Sequence, residues 1–276
     1  MTLRDGTALE MGRRTLVVGV LNVTPDSFSD GGLHYEPDLA IARALQMQAD
    51  GADIIEVGGE STRPGSERVS ADDELARIAP VLKELGKQLR LPLAVDTYKS
   101  EVARVAVDLG ATILNDVSAL RFDKRIAEVA AQTQAALILM HMRGEPATMQ
   151  KVAPSRDIFA EIQNDLNIAL LEAEAHGVER QQIILDPGIG FGKTLEQNLA
   201  ILNHLDRFAH FDLPLMIATS RKGFIGRLTG GAASERLFGT AATVAAAILR
   251  GAHLVRVHDV REIVDVVRVT DAICAA

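Results

Sequence analysis

The stretch GVLNVTPDSFSDGG, residues 19–32, contains a change from apolar strand to polar loop that recurs along the whole chain. The apolar run at residues 15–21 is too short for a helix and apolar on both faces, which is typical of a buried parallel strand. Pro25 removes a backbone donor and two glycines mark a turn, so the strand cannot continue far past Asn22. Asn22 is therefore predicted at the carboxyl end of a buried strand, where α/β folds bind ligands.

Short apolar runs and helical patterns alternate to the end of the chain without a break in composition. Strands are predicted at residues 15–21, 53–57, 92–95, 111–114, 135–140, 182–185, 215–218 and 253–257. Helices are predicted at residues 37–48, from residue 70, and at 101–109, 122–132, 158–176, 195–205, 235–250 and 260–273. Eight βα units over about 250 residues predict an α/β fold, the (β/α)8 TIM barrel, in a single domain. A doubly wound open sheet is the alternative, and residues 1–14 are a short N-terminal lead-in, predicted as a small hairpin or plug.

The composition argues against several classes of protein. The 276 residues carry a formal net charge of −8, which disfavours unspecific binding to nucleic acid or to an anionic membrane surface. The one cysteine, Cys274, allows no intrachain disulfide. No apolar run reaches membrane-spanning length, and no cleavage site follows the arginines at positions 13 and 14. We therefore expect a soluble cytoplasmic protein with no nucleic-acid or membrane partner.

The carboxyl ends of all strands of a (β/α)8 barrel meet at one mouth, where active sites form. Nearly every predicted strand is followed there by a polar or otherwise functional side chain. In chain order these are Asn22, the loop 60–64, Asp96, Asn115, Met140, Asp186, residues 220–222, Arg256 and His258. One strand-end aspartate or asparagine is more often a helix cap or a turn former. The whole set predicts a binding site, because capping does not require such a residue at nearly every strand.

The chemistry of these side chains falls into two groups. One group consists of acceptors without a charge partner nearby in the sequence: Asp96, Asn115 and Asp186. Such acceptors suit the ring N–H and amino groups of a planar, guanidine-like heterocycle. The other group is a positive cluster suited to phosphate: Arg63, Arg221, Lys222, Arg256 and His258. For Arg63 and Arg221, a solvated loop charge is the alternative.

Other catalytic chemistries find less support in the sequence. The segment GFGKT, residues 190–194, lacks the first glycine of a phosphate-binding P-loop at the required spacing. The histidines show no paired ligand spacing, so a structural zinc site is not expected, and no nucleophile with its base is recognisable. Mg²⁺ held jointly by Asn22 and a substrate diphosphate is consistent with the sequence. Catalysis would then rest on positioning and charge stabilisation.

Eight blocks of the chain resemble, in order, the signature blocks of dihydropteroate synthase: GVLNVTPDSFSDGG, GGESTRPGS, VDTYKSEVA, LNDV, LMHMRGEPATMQ, LDPGIGFGKT, TSRKGFIG and RVHDV. The match covers essentially the whole chain except residues 1–12. The resemblance implies a pterin-binding TIM-barrel domain over residues 1–276, of the bacterial type. Such an enzyme condenses (7,8-dihydropterin-6-yl)methyl diphosphate with 4-aminobenzoate to 7,8-dihydropteroate and diphosphate in folate biosynthesis. The resemblance also implies Mg²⁺, a homodimer and a sulfonamide target.

Carried over by motif position, the resemblance also implies roles for individual residues. The pterin would be bound by Asp96, Asn115, Met140, Asp186, Lys222 and Arg256. The 4-aminobenzoate pocket would consist of Phe28, Thr62, Arg63, Pro64, Phe191 and Ser220. Asn22 would hold the metal ion, and the catalytic groups would be Arg63, Lys222, Arg256 and His258. The loops 23–35 and 61–70 would close over the site and exclude water.

Two other functions are alternatives to an active synthase. A pterin-dependent methyltransferase domain should lack the SRK and RVHDV blocks, residues 220–222 and 256–260, and this chain has both. A non-catalytic pterin-binding paralogue should have lost Asn22, Lys222 or Arg256, and all three are present. The Ala-rich helix at 235–250 is a candidate dimer interface, although small residues also pack well against a barrel.

Overall fold

The computed structural model describes residues 1–24, 37–62 and 65–276, and in these parts of the chain eight parallel strands form one sheet. The strands are β1 (Leu16–Asn22), β2 (Ile54–Gly58), β3 (Leu93–Asp96), β4 (Ile113–Asp116), β5 (Ala136–Met140), β6 (Ile183–Asp186), β7 (Met216–Ile217) and β8 (Leu254–Val257). Their order is β6-β5-β4-β3-β2-β1-β8-β7. A parallel bridge from Leu185 to Leu215 joins β6 to the start of β7. The sheet is thus a nearly closed barrel, and the predicted (β/α)8 fold is confirmed.

Helices surround this barrel in the described parts of the chain. They are α1 (Pro37–Ala49), α2 (Ala71–Gln88), α3 (Ser100–Asp108), α4 (Arg125–Thr133), α5 (Ile158–Ala175), α6 (Leu195–Asn203), α7 (Gly223–Thr229), α8 (Leu237–Leu249) and α9 (Val260–Cys274). Polar side chains begin several of them: Ser70 Oγ accepts from the Asp73 N–H at 3.0 Å, and Thr194 Oγ1 accepts from the Gln197 N–H at 3.2 Å. None of the described helices is both long and apolar enough to span a bilayer.

Two helix predictions were wrong in detail. Helix α7 was not predicted, because its sequence GFIGRLT is short and contains two glycines, which are poor helix formers. The helix predicted from residue 122 begins only at Arg125. Asp123 lies before it in a turn and accepts a hydrogen bond from the backbone N–H of Ser100, the first residue of α3, at 3.0 Å. This long-range cap has no local sequence signal.

The strand register places the predicted site residues side by side. Asn22 pairs with Gly58, Gly58 with Asp96, and Asp96 with Asn115, so the last residues of β1 to β3 are aligned with the third residue of β4. On the next pair of strands, Met140 of β5 lies opposite Asp186 of β6. The carboxyl ends of these strands therefore form one edge, as the barrel prediction required.

The interior of the barrel is packed with apolar side chains. Side chains at every second strand position point inward and form a buried cluster that includes Leu16, Val18, Ile54, Ile113, Ile138, Ile184 and Leu254. Leu3 and Leu9 of the lead-in belong to the same cluster, and an antiparallel bridge between Thr2 and Ala8 brings them together. The lead-in is thus both a small hairpin and a plug, which leaves the opposite end of the barrel for the site.

Candidate active site

A hydrogen-bond network links four strands inside the mouth of the barrel. Arg256 Nε of β8 donates to Glu56 Oε1 of β2 at 2.5 Å, and Arg256 Nη2 donates to Asp96 Oδ2 of β3 at 2.8 Å. Asn115 Nδ2 of β4 donates to Glu56 Oε2 at 2.7 Å. Glu56 is fully buried, so its charge depends on these donors. The network brings together three of the residues predicted to bind pterin.

Two buried acceptor atoms in this region have no hydrogen-bond partner within the described parts of the chain: Asn115 Oδ1 and Asp186 Oδ2. The other carboxylate oxygen of Asp186 accepts from the Gly188 N–H at 2.7 Å, which fixes the orientation of the group. An unsatisfied buried acceptor costs about 1–3 kcal/mol. The two atoms are therefore suited to accept hydrogen bonds from the donors of a ligand.

Burial shifts the ionisation of the groups around these acceptors. It raises the pKa of Asp186, an effect that Lys222 and the Gly188 N–H partly oppose. It also raises the pKa of Asp96, against the lowering effect of the Arg256 guanidinium. Burial lowers the pKa of Lys222 to about 7, although the Asp186 carboxylate favours its charged form. Clustered shifts of this kind are typical of functional sites.

A small apolar cluster lies next to these polar groups. Met140 and Phe191 belong to it, together with Tyr98, Val117, Met142 and Met149. The Lys222 Nζ lies 4.7 Å from the centre of the Phe191 ring and donates to the carbonyl oxygen of Ile189. An apolar wall beside fixed hydrogen-bonding groups suits a flat heteroaromatic ligand.

Ser220 and His258 are in contact where the loops after β7 and β8 begin. The backbone N–H of His258 donates to Ser220 Oγ at 3.1 Å, and His258 Nδ1 lies 3.0 Å from the same oxygen. Arg221, which the sequence placed in the positive cluster, pairs instead with Asp259, with Nε donating to Oδ2 at 2.9 Å. Arg221 adopts a left-handed conformation with φ of 57°. Its guanidinium therefore links the β7–α7 and β8–α9 loops, which is neither of the two roles considered from the sequence, a phosphate-binding charge or a solvated loop charge.

Asn22 lies at the end of β1, partly buried, beside Gly58 of β2. A Cβ at Gly58 would lie 3.4 Å from the Asp96 Cβ and 3.9 Å from Asn22 Oδ1, so glycine leaves space between these two side chains. Asn22 Oδ1 is a hard oxygen donor of the kind that Mg²⁺ prefers, but it is a single neutral ligand. The donor set therefore fits Mg²⁺ only when a charged ligand supplies further oxygens.

Comparisons with known proteins agree with this geometry. A family model described as "Pterin binding enzyme" matches residues 18–258. The dihydropteroate synthase of Bacillus subtilis is 46% identical over 266 residues, which are 96% of this chain and 91% of that protein. This chain belongs to the dihydropteroate synthase family. It is thus a transferase of folate synthesis.

Solved dihydropteroate synthases have the same fold. The Yersinia pestis enzyme in complex with a sulfonamide drug has a TM-score of 0.94 and 39% identity, covering 100% of this chain and 99% of that one. The Clostridium difficile enzyme, solved in the presence of pteroic acid, has a TM-score of 0.91 and 43% identity, covering 96% and 99%. Pteroic acid contains both a pterin and a 4-aminobenzoate half.

Three residues predicted for this dihydropteroate synthase site, Phe28, Arg63 and Pro64, lie outside the described residues, as does most of the loop 23–35. Thr62 is described and partly buried, two residues after the buried Glu60. The other predicted residues lie near the carboxyl ends of strands or in the loops that follow them.

Glu56 is the residue of this synthase site that the sequence analysis missed. It was assigned to the strand 53–57 without a role, although it is an acidic residue within an otherwise apolar run. A charge at an inward-facing position of a buried strand needs a buried partner. An isolated acidic residue in an apolar strand therefore predicts a buried ion pair or hydrogen-bond network. The partner of Glu56 is Arg256. Apart from the aspartates at strand ends, Glu56 and Arg256 are the only charged residues within the described barrel strands.

A second group of ionisable side chains lies on the outer side of β5. Within the described chain, His141, Glu161 and Asp165 bring potential metal-ligand atoms within 4.8 Å of one another. Arg143 Nε donates to Glu161 Oε1 at 2.6 Å, and Lys193 Nζ lies 3.3 Å from the His141 carbonyl oxygen. The Arg143 guanidinium thus already pairs with one of the two carboxylates, and the other, Asp165, lies 3.3 Å from His141 Nε2, so the potential ligand atoms are engaged within the protein.

Lys193 of the GFGKT segment has a structural role in the described chain. Its Nζ donates to the carbonyl oxygens of Gly188, Phe191 and His141 at 2.7, 3.2 and 3.3 Å. Burial lowers the pKa of this ammonium well below its ordinary value. The lysine therefore fixes the β6–α6 loop that positions Asp186 and Phe191.

Proposed function

We propose that this synthase binds the pterin ring of (7,8-dihydropterin-6-yl)methyl diphosphate through Asp186, Asn115, Asp96 and Lys222. The observation that carries this proposal is the pair of unsatisfied buried acceptors, Asp186 Oδ2 and Asn115 Oδ1. A dihydropterin presents ring N–H and amino donors on one edge, which suit fixed acceptors of this kind. Lys222 would donate to the acceptor atoms of the same ring system.

The flat faces of the pterin would lie between Met140 and Arg256. Met140 is a soft, polarisable side chain in the apolar wall. The guanidinium of Arg256 is planar, and Glu56 and Asp96 hold it from two directions, so its orientation is fixed before a ligand arrives. Preorganisation of both faces would lower the entropic cost of binding.

The second substrate, 4-aminobenzoate, would occupy the neighbouring part of the mouth. Phe191 and Ser220 support this placement, because the Phe191 ring lies beside Lys222 and the Ser220 hydroxyl beside His258. Thr62, Arg63, Pro64 and Phe28 would complete the pocket from the β2–α2 and β1–α1 loops, as implied by the family resemblance. The sulfonamide complex of the Yersinia pestis enzyme agrees with a sulfonamide-sensitive site of this kind.

The leaving diphosphate would be stabilised by Arg63, Arg256, Lys222 and His258, with Asn22 holding Mg²⁺ against it. When bound, the ion would supply positive charge to the diphosphate oxygens. The protein's own part is to aim fixed cationic donors at the position where negative charge develops. The weak donor set at Asn22 predicts that the metal and the pterin diphosphate bind together.

The chemistry then requires no nucleophile from the protein. The bond between the pterin's exocyclic methylene carbon and the diphosphate oxygen breaks, and the oxygen retains the electron pair. The electron-rich dihydropterin stabilises the positive charge left on the carbon. The neutral amino group of 4-aminobenzoate forms the new C–N bond and releases one proton to solvent. The side chains bind, orient and stabilise charge, which suits the absence of a nucleophile–base pair in the sequence analysis.

We also propose that the synthase is a homodimer that uses the exposed face of α8. Phe238 is 86% exposed and Leu249 54% exposed, and the exposed Ala242 and Ala246 lie between them at helical spacing. This apolar stripe is unusual for a solvent-facing helix. Small residues in its middle permit close packing of two copies about a two-fold axis.

We further propose a cytoplasmic location for the chain, which would act as a single domain. The exposed cysteine, Cys274, is a free thiol in the structure, as expected in a reducing compartment. The net charge of −8 disfavours a nucleic-acid or membrane partner.

The decisive experiment measures diphosphate release by the purified protein with the pterin diphosphate, 4-aminobenzoate and Mg²⁺, omitting each component in turn. We expect release that requires all three components, with 7,8-dihydropteroate formed in equal amount. Pterin binding without release would contradict the proposal and support the non-catalytic paralogue. Absence of both binding and release would contradict the assignment of the site itself.

A further inference from the structure

A partly buried lysine, Lys99, lies next to the site without any role in the functions described above. It is the residue before α3, three positions after Asp96. Its Nζ contacts Glu60 Oε2 and Glu74 Oε2, and the two glutamate side chains are only 7% and 1% exposed. Glu60 follows β2 by two residues, and Glu74 lies in the first turn of α2. One ammonium therefore ties both ends of the β2–α2 loop to the edge of β3.

Tyr98 supplies a second link to the start of the same loop. Its hydroxyl donates to Glu60 Oε1 at 2.5 Å, so both oxygens of Glu60 have partners. The Lys99 Nζ lies 4.6 Å from the centre of the Tyr98 ring. Burial, together with the Glu60 carboxylate, raises the pKa of Tyr98, so the hydroxyl keeps its proton. Because the same ring belongs to the apolar wall with Met140, the network connects the loop directly to the pterin site.

The backbone on both sides of Glu60 is fixed as well. Arg77 Nη1 donates to the Gly59 carbonyl oxygen at 2.8 Å, and a Cβ at Gly59 would lie 2.9 Å from the Glu74 Cγ. Helix α2 therefore packs directly against this segment. Thr62 follows Glu60 by two residues, a span of at most about 7 Å in an extended chain. The position of Thr62 thus depends on where Glu60 is held.

The cluster is not explained by stability alone. Two buried carboxylates share one ammonium, and Glu74 Oε1 has no hydrogen-bond partner among the described residues. Burial raises the pKa of Glu74 in spite of Lys99. A buried ion cluster is often no more stabilising than apolar side chains of similar volume. The ion cluster also fixes the geometry of the β2–α2 loop, and this is a sufficient reason for its presence.

We propose that Lys99 is a positioning residue that, with Tyr98, holds the Glu60–Thr62 segment in place for the second substrate. The proposal rests on the proposed function, because it takes Thr62 to contact 4-aminobenzoate. Lys99 itself contacts neither substrate. Its loss should therefore act on 4-aminobenzoate and leave the pterin almost unaffected, because the partners that hold Asp96, Asn115 and Asp186 are Arg256, Glu56 and the Gly188 N–H and not Lys99.

The test compares Lys99→Met and Tyr98→Phe with the wild-type enzyme. For Lys99→Met we expect the KM for 4-aminobenzoate to rise about tenfold, since a small misplacement of a binding group costs up to about a hundredfold. The dissociation constant of the pterin, measured by calorimetry, should stay within twofold. Tyr98→Phe removes one hydroxyl only and should raise the same KM by a smaller factor, which keeps the test valid if Lys99→Met does not fold.

Two further variants separate this proposal from the one on which it rests. Lys124→Met removes an exposed lysine that pairs with Glu172 at 2.9 Å, and should change neither constant. Thr62→Ala should itself raise the KM for 4-aminobenzoate, and an unchanged KM would refute the proposed role of Thr62. If Thr62→Ala raises the KM while Lys99→Met and Tyr98→Phe do not, the positioning role is wrong. Equal losses of pterin and 4-aminobenzoate affinity in Lys99→Met would also overturn it, because they would indicate general damage.

Discussion

Glu56 and Arg256, which are 200 residues apart in the sequence, form an ion pair inside the barrel mouth in which Arg256 Nε donates to Glu56 Oε1 at 2.5 Å. The second oxygen of Glu56 accepts from Asn115 Nδ2 at 2.7 Å. One buried carboxylate thus orients an arginine and an amide that are both proposed to bind the pterin. Glu56 therefore holds two of the proposed ligand-binding side chains in place.

Replacing Glu56 by glutamine should therefore impair both folding and binding. Glu56→Gln keeps the shape of the side chain but leaves Arg256 with Asp96 as its only charged partner in the described site. We expect the free energy of unfolding to fall by roughly 3 kcal/mol, the cost of breaking a buried ion pair, and the pterin affinity to fall about tenfold. Urea unfolding at pH 7 and calorimetry measure the two effects.

The control for this variant is Glu172→Gln, in the exposed pair with Lys124. It should cost less than about 1 kcal/mol, as exposed ion pairs do. A Glu56→Gln protein as stable as this control and with unchanged pterin affinity would show that Glu56 does not organise the site.

Asp186→Asn tests the acceptor that carries the proposed function. The variant keeps the size of the side chain and an oxygen for the Gly188 N–H, but it removes the charge and turns one acceptor into a donor. We expect pterin affinity to fall at least about a hundredfold, since a donor facing donors leaves buried groups unpaired. Calorimetry with the pterin alone measures this loss.

Asp116→Asn is a matched control at another buried strand end. The oxygens of Asp116 already accept from the Ser118 N–H at 2.8 Å and from the Leu120 N–H at 2.6 Å. The control should lower the free energy of unfolding and change pterin affinity by less than threefold. If both variants lose affinity equally, the loss comes from destabilisation and not from the Asp186 acceptor.

Asn22→Ala tests the metal ligand. With this oxygen removed, the Mg²⁺ concentration that gives half-maximal diphosphate release should rise about tenfold. Mg²⁺ sites contain few protein ligands, so the loss of one weakens metal binding. Chelation with EDTA should abolish release by the wild-type enzyme, and added Mg²⁺ should restore it. Asn164→Ala, at an exposed position of α5, is the control. If the wild type, Asn22→Ala and Asn164→Ala show the same Mg²⁺ dependence, Asn22 does not bind the metal ion.

Phe238→Asp tests the dimer interface. A charge on the apolar stripe of α8 should weaken association at least about a hundredfold, because an unpaired charge would be buried between the two copies. Size-exclusion chromatography with light scattering at micromolar concentration measures the mass. Ile168→Asp changes a residue of α5 that is 58% exposed and should leave the dimer intact. If the Phe238→Asp protein is still a dimer, the dimer interface lies on a different surface.

His141 should contribute to the dependence of stability on pH. Burial and the nearby Lys193 lower the pKa of His141 from 6.5 to about 4, so the folded protein holds this ring neutral while the unfolded chain protonates it near pH 6.5. The unfolded state thus binds the extra proton between these values, and stability rises with pH there. The contribution is fully present above pH 6.5 and is lost as the pH falls to 4, about 3 kcal/mol in total.

His141→Asn removes this titration. The difference in the free energy of unfolding between pH 7 and pH 5, from urea denaturation, should be smaller in the variant than in the wild type. His210→Gln, at an exposed position, should retain the wild-type difference. A variant with the full wild-type pH dependence would show that His141 is not the buried neutral group described here.

Much of the fold could be predicted because local patterns agree with it. The apolar runs before Asn22, Asp96 and Asp186 end where the strands end, within a residue or so. Helix α7 was missed because it is short and contains two glycines. The late start of α4 was missed because a tertiary contact decides it: Asp123 is used to cap α3, which lies earlier in the chain. Local propensity is a weak predictor where such a contact competes with it.

The candidate site was predicted less completely. Strand-end positions identify Asp96, Asn115 and Asp186, because parallel strands bring their carboxyl ends together. The same rule favoured a functional role for Arg256 over Arg221, but it could not identify Glu56, which lies inside a strand, nor show that Arg256 joins the network while Arg221 pairs with Asp259. Those differences depend on which carboxylate each guanidinium meets, and the partners are distant in sequence or set by loop conformation.

By itself the sequence determined the alternation of strands and helices, the end of the barrel that carries the site and, through the ordered blocks, the family. The alternation and the end of the barrel follow from periodicity and spacing, which are properties of neighbouring residues, and the family follows from the resemblance of the blocks. Tertiary structure alone decided which buried charges are paired and which acceptors, Asn115 Oδ1 and Asp186 Oδ2, have no partner within the described chain. Hydrogen bonds and ion pairs act over a few ångströms in space, so residues far apart in the sequence become partners only when the barrel brings their strands together.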